Sequence, residues 1–393
     1  VIVRLLPILG ITFIDILGFS ILLPLMPYYV QHFGAPVVVV GLLFSTFAIC
    51  QFVAGPIWGH VSDRIGRKMV LVVSQIGATV GWTMLAFAPT IGWVFVARIV
   101  EGVSGGNISV TQAYVADLVA PEQRARAFSY VGAAFSAGIV FGPAFGGLLV
   151  GRYGYTAPFL AAAGLQLLTL VLTLVMLPES RTKEEQQDTA GFGDIVRSLG
   201  DKKLSPVLVQ KLIWSLGLYG WFAAFTLILQ RQLGLNESTA SYFFAGFGVI
   251  SIVIQIGVVG RITDALGDRR ASNLGLVAGL IAFGIVPFIH DIYTGFVMLV
   301  FFAFALSINN ATLAALMTDA APENQRGTIL GVGSSLDSAS GIVMPTISTG
   351  ALEWYGVAAT AGISGLFTLG ALALGLTQTK SAPIDAVAVE AEA

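Results

Sequence analysis

"GHVSDRIGRK", residues 59–68, places four charges within ten residues of a chain that is only 11% charged and 56% hydrophobic. A blurred second version, "GRITDALGDRR", occupies residues 260–270. A fold for this chain has to explain both why charge is spent there and why it is spent twice.

Working outward from each cluster, the flanking sequence is apolar for 20 or more residues at a time, enough for a helix to cross about 30 Å of hydrocarbon. The mean hydropathy is +0.85, and soluble domains carry roughly a quarter charged residues, so soluble classes are excluded. Twelve spans are predicted, at about 5–30, 37–60, 69–88, 92–117, 127–151, 156–177, 206–230, 239–262, 271–289, 293–318, 328–353 and 357–377. The apolar runs are continuous, not alternating, which favours helices over barrel strands, because a helix satisfies its own backbone in lipid.

With the N-terminus inside, seventeen of the twenty Lys and Arg residues, Lys211 among them, fall in inner loops. Only Arg152 and Arg231 fall outside, and Arg98 lies within a span. The positive-inside bias therefore predicts both termini in the cytoplasm. The first apolar run has no cleavage site and is expected to remain as a span. The single Cys50 excludes an intrachain disulfide, and the net charge of −2 points away from nucleic acid as a partner. Asn236-Glu-Ser238 is a sequon in an outer loop, a triplet common by chance.

The second cluster belongs to a longer repeat. "VADLVAPEQRARAFSYVGAAFSAGIVFGP", residues 115–143, aligns without a gap on "MTDAAPENQRGTILGVGSSLDSASGIVMP", residues 317–345. Asp117 then meets Asp319, Arg124 meets Arg326, Pro143 meets Pro345, and Asn107 and Asn309 keep the same offset. The expected organisation is a six-helix bundle over 1–180, a cytoplasmic linker over 181–204, a second bundle over 205–380 and a disordered tail over 381–393. Within the linker Phe192, Ile195, Val196 and Leu199 recur at helical spacing, as in a short helix on the membrane surface. Duplicated halves with a site between them describe a secondary transporter. A nucleotide-binding Gly-rich loop ending in Lys and Ser or Thr is absent from the sequence.

These residues resemble a known family. Gly59, Asp63, Arg64, Gly66, Arg67 and Lys68 look like the cytoplasmic loop signature of the major facilitator superfamily. Leu17, Gly18, Pro24 and Pro27 in the first span, Arg98, Gly102, Gly105 and Gly106 in the fourth, and Gly138, Gly142, Pro143, Gly146 and Gly147 in the fifth resemble its twelve-span drug:proton antiporters. "IDILGFSILLPLMP" and "SQIGATVGW" follow the tetracycline-efflux branch most closely. Members that carry tetracycline place acids at positions matching Gly81 and Gly279, so the chain departs from them there. The resemblance implies an all-α major facilitator fold, two pseudo-symmetric six-helix bundles, in the plasma (bacterial inner) membrane. It also implies export of lipophilic, cationic or amphiphilic compounds in exchange for protons.

In that fold the opening cluster becomes a gate. Gly59 is expected to let the second span approach a neighbour closely, and Asp63 to sit near a helix N-terminus, where the dipole favours an anion. Arg67 and Lys68 are within reach of carboxylates on the next inner loop, Asp117 being the candidate. Gly260, Asp264, Gly267 and Arg269 would repeat the device in the second half. Solvated charges that anchor the topology are the plainer alternative. The glycines of the fifth span are expected to form a close-packing face, with Pro143 kinking the helix.

Ionisable groups inside spans are functional candidates by default. Asp15, Arg98, Glu101 and Asp337 are the four taken here. Asp15, near mid-depth, is the first choice for a site that holds a proton or a cationic cargo but not both. Arg98 and Glu101, three apart, either neutralise each other or divide the work, with Arg98 acting on Asp15 and Glu101 carrying the proton. Asp337 either lines the cavity or bonds to Ser and Thr hydroxyls nearby, such as Ser335, Ser338 or Ser340. Three acids against one Arg would leave the cavity negative and suited to cations. Asn107, Tyr114, Tyr219, Phe222, Phe302 and Asn309 are the remaining candidates for contact with cargo. A proton symporter for a small metabolite and a non-transporting receptor of the same fold are the competing readings. An enzyme is disfavoured, because His32, His60 and His290 fall near loops on opposite sides of the membrane. Neither a metal nor a cofactor is implied, and the expected partners are a small molecule, protons and the bilayer around a monomer.

Overall fold

The computed structural model describes residues 2–105, 107–119, 124–179, 200, 203–321 and 326–380. All regular elements among them are helical. Helices α1 (Ile2–His32), α2 (Val38–Ile65) and α3 (Arg67–Ala86) are followed by α4 (Ile91–Ser104) and α5 (Asn107–Leu118), which divide the fourth predicted span. Then come α6 (Arg124–Tyr153), α7 (Thr156–Met176), α8 (Ser205–Leu233), α9 (Glu237–Ile254), a π-helical turn at Gln255–Val259, and α10 (Gly260–Leu266). The chain closes with α11 (Asp268–Ile285), a 3-10 turn, α12 (Ile292–Ala320) and α13 (Arg326–Lys380). Ten of the described helical stretches are long and apolar enough to cross a membrane. One of them, Thr328–Gln378, holds two crossings joined at Gly356, whose backbone is non-helical. With the divided fourth span, the arrangement is consistent with twelve crossings.

Six described glycines have positive φ and no other described residue type does: Gly34, Gly66, Gly154, Gly234, Gly267 and Gly356. Each turns the chain between consecutive spans, in a conformation only glycine adopts without strain. They fall into three pairs, Gly34 with Gly234, Gly66 with Gly267 and Gly154 with Gly356, at nearly the same offset as the sequence repeat. The duplication is thus written in the turns as well as in the motifs.

Packing groups the chain into two compact units. The first joins Val1–Thr189 with Gly220–Val249 and Gly341–Val357, and the second joins Ala190–Tyr219, Ile250–Ser340 and Ala358–Ala393. Parts of α8, α9 and α13 therefore pack with the first six spans. One core cluster in the first unit gathers Leu5, Ile8, Val70, Leu71, Tyr114, Val115 and Ala127. A cluster in the second gathers Leu204, Leu208, Met317, Ile329 and Val332. Val115 and Ala127 stand where Met317 and Ile329 stand in the repeat, so equivalent positions build equivalent cores.

Candidate functional site

Asp15 lies half-buried in the middle of α1. The helix that carries it is held by the glycine face of α6. A methyl group at Gly138 would come within 2.8 Å of Ile16 and 2.9 Å of the Leu17 nitrogen, and one at Gly142 would overlap the Ser20 hydroxyl and lie 2.5 Å from the Leu17 carbonyl. Absent side chains let the two backbones close, and Ser20 Oγ donates to the Gly138 carbonyl at 2.8 Å. A methyl group at Gly146 would come within 3.0 Å of Ile21, and one at Gly147, which faces α9, within 2.7 Å of Ser241 Cβ and 3.1 Å of the Ser238 carbonyl. The face expected in the fifth span thus serves two neighbours, with Pro143 inside α6.

Arg98 and Glu101 on α4 are joined by a salt bridge, with side chains 0% and 4% exposed. The Arg98 guanidinium lies 4.2 Å from the centroid of the Phe47 ring on α2, a cation–π contact strengthened by desolvation. Arg98 Nε and Nη2 and Glu101 Oε1 have no hydrogen-bond partner among the described residues. The Glu101 methylene occupies the space beside Gly81, where a side chain would collide with Glu101 Cγ. The position at which the tetracycline branch was matched to an acid on α3 is thus filled from α4.

In the second unit Lys211, 9% exposed, places Nζ 2.7 Å from Asp337 Oδ1, and Ser215 Oγ donates to the same oxygen at 2.5 Å. This corrects the loop placement of Lys211 and identifies the hydroxyl that Asp337 meets. Lys211 is an intramembrane base, not a loop charge, and it was recognisable as such because Lys211, Ser215 and Tyr219 recur every four residues along one face of α8. Asp337 bonds to Ser215, whereas Ser335 and Ser338 donate to their own helix carbonyls, as does Ser340. Among the described residues, three deep acids face two deep bases, where three against one had been expected.

At the gate end, Arg67 Nε lies 3.3 Å from Asp117 Oδ2 and its Nη1 donates to Ser62 Oγ at 2.5 Å. Lys68 takes no described carboxylate with its ammonium, which donates instead to the Leu174 carbonyl at 2.8 Å. Among the described side chains, the acid at the α3 N-terminus is Glu179, which accepts from the backbone N–H of Arg67 at 2.7 Å and of Lys68 at 3.2 Å. Its carboxylate sits against Gly66, where φ is +101° and a Cβ would collide with it. Gly59 is not a close-approach point, since a methyl group there meets nothing within 4 Å; Gly260 is equally open. Arg64 and Asp264 are exposed. Gly267 turns the chain at φ +74°, and Arg269 bonds to Gln378 on α13. The side chains of Asp63, Asn107 and Arg124, all of Gly106, most of the linker and the tail over 381–393 lie outside the described residues.

Three residues expected to meet cargo serve helix packing. Tyr114 is 1% exposed, with its hydroxyl donated to the Pro178 carbonyl at 2.9 Å. Phe302, 2% exposed, packs against Phe283. Asn309, fully buried, accepts from Ser272 at 2.9 Å and donates to the Ala305 carbonyl. Neighbouring helices cover each of them. Tyr219 and Phe222 are partly buried.

At the other end of the first unit, hydrogen bonds join its segments. Gln31 and Gln230 exchange amide hydrogen bonds at 2.8 and 3.0 Å, and Tyr28 donates to the Leu235 carbonyl at 2.7 Å. Ser45 and Thr346 hydroxyls lie 2.9 Å apart, and Glu353 accepts from the Val38 backbone N–H at 2.7 Å. None of these contacts was anticipated, because they join stretches some 200 to 300 residues apart in the chain.

The sequence model of the Major Facilitator Superfamily matches residues 8–345 and 212–388. The chain belongs to that superfamily. It is 29% identical over 347 residues to the class B tetracycline resistance protein of Escherichia coli, covering 86% of both chains. It is 30% identical over 357 residues to the class G protein of Vibrio anguillarum, covering 84% of this chain and 86% of that one. Multidrug resistance protein 2 of Bacillus subtilis is 27% identical over 346 residues, with 85% of each covered. Among solved structures, the human organic anion transporter MFSD10 superposes with a TM-score of 0.72 at 21% identity, covering 94% of this chain and 98% of that one. The nucleoside transporter NupG reaches 0.78 at 13% identity, covering 95% of this chain and 98% of that one. The relatives are membrane transporters of the superfamily, not enzymes, and this chain stands with the tetracycline-resistance branch.

Proposed function

We propose that the chain exports lipophilic, cationic or amphiphilic drug-like compounds in exchange for protons. On this reading it works as a monomer in the plasma or bacterial inner membrane, with both termini in the cytoplasm. The observation that carries the reading is a carboxyl group, Asp15, at mid-depth of a helix clamped by the glycines of α6. A carboxyl group placed there accepts a proton or a cationic cargo, never both, and exclusive occupancy enforces exchange. Glu101 and Asp337, each tied to a base, are the further proton-coupling candidates. In the first unit Asp15 and Phe222, and in the second Tyr219, are the partly buried candidates for contact with cargo, the two aromatic rings being suited to flat cations. Opening at the gate end would break the Arg67–Asp117 contact. Multidrug and tetracycline resistance among the relatives supports the drug class.

The test is uptake into inverted vesicles of a panel of lipophilic cations and neutral antibiotics, with and without a protonophore. Accumulation that collapses with the protonophore is expected for at least one cation, and its loss in Asp15→Asn. Coupled accumulation unchanged in Asp15→Asn refutes the exchange site.

A further inference from the structure

The fourth span is broken, and side chains from two other helices hold the break. In an unbroken helix the carbonyls of Val103, Ser104 and Gly105 would accept from the N–H groups four residues on, at 107, 108 and 109. Here side chains donate to all three. Trp58 Nε1 donates to the Val103 carbonyl at 2.6 Å, Ser74 Oγ to that of Ser104, and Gln51 Nε2 to that of Gly105 at 3.2 Å. Gly105 itself leaves helical geometry, with φ −72° and ψ 28°, before α5 begins at Asn107. Backbone freed inside a membrane must find new partners, and three consecutive carbonyls served by three side chains form a built arrangement.

The two segments either side of the break are anchored differently. On α4, Arg98 lies over Phe47, Glu101 fills the space beside Gly81, and Gly102 stands so close to α2 that a methyl there would come within 2.6 Å of Cys50 and 2.8 Å of the Phe47 carbonyl. That segment is fixed to α2 and α3. Beyond the break, α5 ends in Asp117, the acid paired with Arg67.

We propose that Gln51, Trp58 and Ser74 are positioning residues that hold a hinge at Val103–Gly105, on which α5 and Asp117 swing while α4 stays fixed. The inference rests on the transport reading above, since a swinging Asp117 has a task only where its contact with Arg67 opens. Loss of the three donors favours the continuous helix, which would rotate Asp117 away from its place.

Hydrogen exchange of the full chain in lipid nanodiscs, followed by mass spectrometry, tests the hinge without a substrate. Amides at 107–109 should exchange at least tenfold faster than those at 160–166 in the middle of α7, and Gln51→Leu/Ser74→Ala should slow them. The same variant, and Trp58→Phe, should lower proton-driven ethidium efflux from proteoliposomes at least tenfold, with the ethidium Kd within threefold of wild type. Ser74→Thr, which keeps the hydroxyl, should retain efflux. Equal exchange at the two sites, or wild-type efflux in the double variant, overturns the proposal. A wild-type chain that moves no ethidium would count against the export reading alone, and the exchange comparison would then decide the hinge by itself.

Discussion

Lys211 and Asp337 form an ion pair, 2.7 Å from Nζ to Oδ1, inside spans where charge is costly. With the Arg98–Glu101 pair, this leaves one deep carboxylate more than there are deep bases among the described residues, where the sequence had suggested two. On the export reading, a preference for cations would then rest on the placement of Asp15 and not on an excess of deep acids.

Removing one member of such a pair strands the other charge, at a cost of about 3–5 kcal/mol for a buried pair. Asp337→Asn and Lys211→Met should each lower the unfolding temperature in detergent, and the double variant should recover most of the loss. Transport separates the two roles of Asp337. A purely structural pair regains efflux in the double variant, whereas a proton-carrying Asp337 leaves it inactive despite its stability.

Gly81→Ala places a methyl against Glu101 Cγ. Overpacking costs about 1–3 kcal/mol, and here the strain falls on the carboxylate bonded to Arg98. Proton-driven efflux should drop at least tenfold, with a visible shift in its pH profile. Gly132→Ala, where a Cβ meets nothing within 4 Å, should behave as wild type. A pH profile unchanged in Gly81→Ala would show that Glu101 is structural.

The span pattern was legible because lipid demands long apolar helices whatever their tertiary partners, and the turn glycines Gly66 and Gly267 because duplication repeats them. Direction around a helix was not. Tyr114 and Asn309 sit at useful depths, yet what they face depends on α1 and α11 respectively, which no local pattern reports. Lys211 was read as a loop charge because it stands six residues into α8, where a long side chain can equally snorkel to the surface. Glu179 stands out only once the N–H groups of Arg67 and Lys68 are brought to it.

Gly142→Ala tests the clamp on the helix that carries Asp15. The methyl would overlap Ser20 Oγ and approach the Leu17 carbonyl to 2.5 Å. Removing the hydroxyl relieves only the first clash, so Gly142→Ala/Ser20→Ala should remain inactive in efflux while still reaching the membrane. Recovery in the double variant would mean that the backbone contact is dispensable.

Glu179→Gln tests the gate end. The carboxylate accepts from two backbone N–H groups at the start of α3, where the helix dipole favours negative charge. The amide keeps one acceptor oxygen but loses the charge, so α3 should loosen next to Arg67 while the Arg67–Asp117 pair remains. Efflux should fall less in Glu179→Gln than in Asp117→Asn, and combining the two should cost no more than Asp117→Asn alone if both act through the position of Arg67. Losses that simply multiply in the double variant would assign Glu179 a separate task.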